Sequence, residues 1–182
     1  MSLNAADQYY LKALDHYPYD LEGTVEALSF ALGHDEEHCQ SNCLMGRIFM
    51  EQMKEYEMAD YYFEKALMSD FNYPDTFKYY SLLKIWKGEF PKAQKIIDYS
   101  LRVRGMDRAT MLHRKAMVYE CTGKYLEAKL CLQQIKLIAS NNEWVSYAEK
   151  ELLRLKKKVK TYAKLNGIQS KSREGKRVPS LH

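Results

Sequence analysis

Proline and glycine are scarce in this chain, at 4 and 8 of 182 residues. So few breakers and turn formers argue against a loop-rich or many-turned β architecture and favour helices. No apolar run approaches the roughly 20 residues needed to cross a bilayer. A Gly-rich phosphate loop, a G-x-S-x-G elbow and an H-E-x-x-H pair are all missing, which removes the sequence motifs of nucleotide binding, serine hydrolysis and zinc proteolysis. His113 and Cys121 stand two helical turns apart and do not make a dyad. The expectation is a protein that is not an enzyme and needs no cofactor.

Cysteine is sparse too: Cys39, Cys43, Cys121 and Cys131. The start of the chain, Met1 to Asp7, has no basic n-region and no apolar h-region. Together these predict a cytoplasmic protein with reduced thiols. His34, His38, Cys39 and Cys43 form a cluster of metal-ligand residue types. On a helix, however, His38 and Cys39 point about 100° apart, and zinc sites bring ligand pairs from separate elements. No metal site is expected; the histidines are read as facing solvent and the thiols as facing the core.

What is abundant is large side chains and a divided charge. The composition is 46% hydrophobic and 29% charged, with 15 tyrosines. Tyr9-Tyr10, Tyr61-Tyr62 and Tyr79-Tyr80 put one ring on each of two adjacent helix faces, suited to packing between helices and, for some, to partner contact. Residues 150–182 carry 11 Lys/Arg against Glu151 and Glu174, while residues 1–149 carry 17 against 22. A mildly acidic body is followed by a strongly basic end.

The chain repeats itself. Tyr56, Ala59, Phe63 and Ala66 are followed by Phe90, Ala93, Ile97 and Ser100, and then by Tyr125, Ala128, Leu132 and Ile135. Successive aromatics are 34 and 35 residues apart. Positions i, i+3, i+7 and i+10 share one helical face. The small residue lets two helices approach closely, and the bulky one fills the space toward the next unit. Gly88 and Gly123 open two of the turns. The second unit carries one extra residue between Phe49 and Tyr56, expected in its turn. Upstream, Tyr17-Pro18-Tyr19-Asp20 supplies a turn, and Leu21, Leu28, Ala31 and Leu32 a second helix.

This pattern resembles the tetratricopeptide repeat (TPR), whose period is about 34 residues. The resemblance implies an all-α fold, a right-handed superhelix of about four TPR-like helical hairpins with a long C-terminal capping helix. The repeats are expected at about 5–38, 39–73, 74–108 and 109–142, forming an array over 1–140. A capping helix is expected over 141–166 and a basic disordered tail over 167–182. The family's repeat-ending proline is missing, with Phe71, Gly105 and Ser140 in its place, and so is its first-helix tryptophan.

The resemblance also implies a function, an adaptor or scaffold that holds a peptide or helix of another protein in a concave groove lined by first helices. The groove positions fall on Gln40, Cys43, Arg47 and Met50, then Asp75, Lys78, Leu82 and Ile85, then Thr110, His113, Met117 and Glu120. The Lys and Asn set with which the chaperone-adaptor type clamps a terminal carboxylate is not found; only Arg47, Lys78 and Arg114 stand near suitable positions. The basic end, including Lys156, Lys157, Lys158, Lys160, Lys164, Lys171, Arg173, Lys176 and Arg177, suggests nucleic-acid association as the alternative. No aromatic interleaves the tail to stack on bases. In the capping helix Val145, Ala148, Leu152, Leu155, Val159 and Tyr162 are spaced alternately three and four apart. Either this seam packs within one monomer, or its far end pairs with a second copy as a homodimer.

Overall fold

The structure, a computed structural model, describes the backbone of residues 4–174 and the side chains of residues 4–164. Among the described residues all regular structure is helical. The order is α1 (Ala5–His16), α2 (Leu21–His34), α3 (Cys39–Ile48) with a π-helical turn (Phe49–Met53), α4 (Tyr56–Ser69), α5 (Pro74–Trp86), α6 (Phe90–Ser100), α7 (Arg108–Cys121), α8 (Tyr125–Ile138) and α9 (Asn142–Glu174). Helices α1–α2, α3–α4 and α5–α6 form hairpins, and the long last helix α9 packs on α8. The chain gathers into two compact units, Met1–Arg114 and Lys115–His182, divided within α7.

Local chemistry starts most first helices. Asn4 caps α1 by accepting from the Asp7 N–H at 2.6 Å. His38 caps α3 through Ser41, Pro74 fills the first turn of α5, and Asp107 accepts from the Ala109 and Thr110 N–H groups ahead of α7. Each cap satisfies donors that the first turn leaves unpaired.

Of the second helices, α2 starts on the Asp20 side chain, which accepts from the Gly23 N–H at 2.9 Å, and the other three by a different device. The residue two before Phe90 or Tyr125 is Gly88 or Gly123, with φ of 73° and 76°. The residue two before Tyr56 is Lys54, at φ 60° and without a glycine's freedom. Its N–H bonds to the Phe49 carbonyl and closes the π-helical turn. The extra residue of the second repeat is therefore taken up at the end of the first helix rather than in the turn, as a one-residue insertion into an α-helix is wherever a π turn forms.

The core repeats with the sequence. Thr24, Ala59, Ala93 and Ala128 occupy the small position, and Leu28, Phe63, Ile97 and Leu132 the bulky one. Ala31, Ala66, Ser100 and Ile135 follow, and none of these side chains is more than 3% exposed. Ala93→Leu is expected to overpack this site and lower stability by about 1–3 kcal/mol. Thermal melting checks it, and an unchanged midpoint would place Ala93 away from any close crossing.

Charge also lies inside the first unit. The Lys84 side chain on α5 is only 3% exposed, and its ammonium meets Asp60 of α4 at 2.5 Å and Glu89 at 3.5 Å. Lys87 shares Asp60 and also holds Glu57 at 2.8 Å. Lys92 bonds to Glu89 at 2.6 Å. That bond, opposed by partial burial and aided by the charge of Lys84, holds the Glu89 carboxyl down at about 2.

In the second unit α9 begins on the Asn141 cap, whose side chain accepts from the Trp144 N–H at 3.0 Å. Ala148 and Leu155 are buried, whereas Leu153 and Tyr162 are exposed. The helix does not stop at 166 but continues to Glu174. A lone glycine, Gly167, costs a helix about 1 kcal/mol and does not end it, and no proline comes before Pro179. The rest of the tail expected to be disordered, 175–182, lies outside the described residues.

Candidate partner-binding site

The groove expected from the sequence divides once side chains are placed. Cys43, Met50, Leu82, Ile85 and Thr110 are buried. Gln40, Arg47, Lys78, His113, Met117 and Glu120 are partly exposed, and Asp75 is open to solvent. The polar members thus carry most of the accessible surface, while Met50 and the aliphatic residues belong to the core.

Arg47 is the centre of the first unit's first-helix face. Its guanidinium lies 5.0 Å from the ring centre of Tyr17 at the end of α1, and 4.5 Å from that of Tyr79 on α5. Its Nε donates to Glu51 at 2.8 Å, and the Tyr17 hydroxyl donates to the same carboxylate oxygen at 3.4 Å. A planar cation between two rings gains from both faces, by about 0.5–2 kcal/mol per ring according to desolvation. Lys78 adds its ammonium 5.1 Å from the ring centre of Tyr79. Burial raises the Tyr17 and Tyr79 phenols, against the lowering field of Arg47. Both stay neutral, so this face presents cations and phenolic donors.

Beside it Tyr10 of α1 and Tyr73 ahead of α5 share a hydrogen bond, and burial raises both phenols. Below them burial pushes the Cys39 thiol up to about 11 and the Cys43 thiol up to about 12, and the Cys39 thiol donates to the Ala66 carbonyl at 3.3 Å. Neither sulfur is a thiolate near neutral pH, so neither has the form that binds metals or attacks electrophiles. His38 departs from the expectation of a solvent-facing histidine. It is buried, with Nδ1 2.7 Å from Ser41 Oγ and Nε2 3.2 Å from Asp7. Capping a helix uses one ring nitrogen and Asp7 satisfies the other, which makes burial affordable.

Glu120 has a different fate within the second unit. Arg154 of α9 grips it with both guanidinium nitrogens, and Lys158 donates to it at 2.7 Å. The Arg154 bond, against partial burial and with help from Lys158, depresses the Glu120 carboxyl to about 2. A group depressed on folding stabilises above its unfolded value near 4.3, and that stabilisation is lost as pH falls toward 2. Glu120→Gln should therefore lower stability by about 1 kcal/mol at pH 7, since water screens the arginine and lysine. The difference from the unaltered chain should vanish by about pH 2, and thermal unfolding at both pH values checks it.

Tyr17, Glu51 and Tyr79 are the site residues that the sequence did not single out for the groove. Tyr79 belongs to one of the tyrosine pairs, which was the available signal. Tyr17 lies in a turn segment and carries none. Among the described residues no group of three His, Cys, Asp or Glu side chains could hold a metal ion. No described helix is long and apolar enough to cross a membrane.

No family model and no curated protein matches the sequence. Solved structures do match the fold. One, from a functional characterization of pilF of Pseudomonas aeruginosa, superposes with a TM-score of 0.74 at 18% identity, over 87% of this chain and 71% of its own. Another, the MamA protein, superposes with a TM-score of 0.66 at 13% identity, over 98% of both chains. Both are TPR-repeat proteins. With the recurring small, bulky and small core positions and the helical hairpins, the likeness means that this chain has the all-α helical-repeat fold of tetratricopeptide proteins.

Proposed function

We propose that this protein is a scaffold for protein–protein interaction, and that the first-helix face around Arg47 takes a peptide or helix of another protein. The observation that carries this reading is the Arg47 guanidinium held between Tyr17 and Tyr79. Arginine and tyrosine are the residues most favoured at the energetic centres of interfaces. Their positions here are fixed beforehand by Glu51, so little side-chain freedom remains to be lost on binding. Lys78 and Asp75 flank the stack with opposite charges, while Tyr79 packs on the core cluster that holds the buried Cys43, Met50 and Leu82. The surface suits a segment with an acidic or carbonyl-rich edge.

Arg47→Lys keeps the charge but loses the planar fork and the double stack. Combined with Lys78→Gln, it is expected to reduce by about tenfold, the equivalent of about 1.4 kcal/mol, the amount of each specifically retained protein recovered from native lysate. Quantitative mass spectrometry of the recovered proteins reads the change, and circular dichroism shows whether the variant remains helical. Undiminished recovery with intact helicity would place binding elsewhere on the protein.

A further inference from the structure

A second surface lies wholly within the second unit and is apolar, concave and unrelated to the first-helix face. Between α8 and α9 runs a groove of about 830 Å³, lined by Leu126 on one side and by Leu153 and Val159 on the other. Leu126 is 75% exposed and Leu153 61%, far more than a large aliphatic side chain shows without a purpose when several are contiguous. Leu130 continues the α8 side one turn on, and it too is exposed. By its order in the chain α9 has the place of the first helix of a fifth hairpin. The groove has the dimensions and polarity of a helix seat.

The rim decides the occupant. Lys124, Lys129 and Lys156 line the groove against one acid, Glu127, among the described residues. Lys160 stands one turn beyond Lys156 on the same side of α9 and is exposed. A second copy meeting this groove with its own would bring the same lysines together, which like-charge repulsion opposes. The chain's own end carries Lys171, Arg173, Lys176 and Arg177 and is repelled in the same way. A helix with a leucine stripe flanked by carboxylates satisfies both the apolar floor and the basic rim. We propose that the α8–α9 groove is a docking site for an acidic amphipathic helix of another protein, seated along α8 and α9.

The test uses the full chain and two fluorescein-labelled helical peptides of about 18 residues, some five turns. Both carry leucines at helical spacing, one with glutamate and the other with lysine at the remaining positions. In fluorescence anisotropy the glutamate peptide should bind at least about tenfold more tightly than the lysine peptide, and added salt should weaken it. Leu126→Asp with Leu153→Asp should weaken it by about tenfold or more; both sites are exposed, so the fold survives. Lys129→Glu with Lys156→Glu should reverse the preference between the peptides. The Arg47→Lys, Lys78→Gln variant should bind as the unaltered chain does. Equal binding of both peptides, or binding unaffected by the leucine variants, would overturn the proposal. So would loss of binding in the Arg47 variant, which would put the peptide on the first-helix face. A dimer in light scattering that the leucine variants dissociate would overturn it too, since the occupant would then be a second copy.

Discussion

Asp60→Ala should destabilise the protein by about 3–5 kcal/mol, although it removes only one small side chain. Asp60 is the shared partner of Lys84 and Lys87. Without it the Lys84 ammonium keeps Glu89 at 3.5 Å and the Tyr80 ring at 4.9 Å, and has almost no route to water. A buried charge stripped of its main partner bears the full desolvation penalty. The reverse deletion is milder. Lys84→Met leaves Asp60 bonded to Lys87 and puts an apolar chain of similar length into the same space, so a loss of about 1 kcal/mol is expected. Urea unfolding of the two variants measures the asymmetry. Equal losses would mean that the Lys84 ammonium reaches solvent once Asp60 is gone.

The second large effect changes sign with its background. Phe63→Ala should cost about 3–5 kcal/mol, as the side chain is fully buried between helices. Its ring is also the reason for a glycine in the middle of α3: a Cβ at Gly46 would lie 3.0 Å from Cδ1 and Cε1 of Phe63 and 3.1 Å from its Cγ. Gly46→Ala alone is therefore expected to destabilise by about 1–2 kcal/mol through crowding of a ring that has no free space to enter. Once Phe63 is alanine the crowding is gone. Only the helical preference for alanine over glycine is left, and Gly46→Ala should then stabilise by up to about 1 kcal/mol. A double-mutant cycle by denaturant unfolding reads this coupling. If Gly46→Ala costs the same in both backgrounds, the glycine serves something other than the Phe63 contact.

The parts of the fold legible in the sequence are those fixed by spacing within one helix. Ala59, Phe63 and Ala66 announce a buried face because their separation alone sets their common direction, and Ala93, Ile97 and Ser100 repeat the message. An extra residue before Tyr56 was countable, but its location was not. Whether an insertion enters a turn or widens a helix depends on a conformation at Lys54 that its residue type disfavours. The candidate site was harder still. Arg47 and Lys78 could be placed on first helices, whereas the Tyr17–Arg47–Tyr79 stack joins three helices whose relative rotation no local pattern encodes. His38 was misjudged for the same reason, since its partner Asp7 lies 31 residues away. Glu120 reads as a groove residue by position, and only packing of α9 reveals that Arg154 and Lys158 already hold it.

The length of α9 has an electrostatic consequence of its own. At 33 residues it measures about 50 Å, against about 21 Å for a helix of 14. Its final turns thus stand well beyond the reach of any helix the size of α8. In physiological salt a charge is felt over a Debye length of about 8 Å. Lys160 and Lys164, 18 and 22 residues past Asn142, are then about 27 and 33 Å from its beginning, some three to four such lengths, and Glu143 there cannot neutralise their field. A dissolved anion approaching this stretch meets the exposed Lys156, Lys157, Lys160 and Lys164. The formal net charge of +4 is therefore no guide to the local field that such an anion meets.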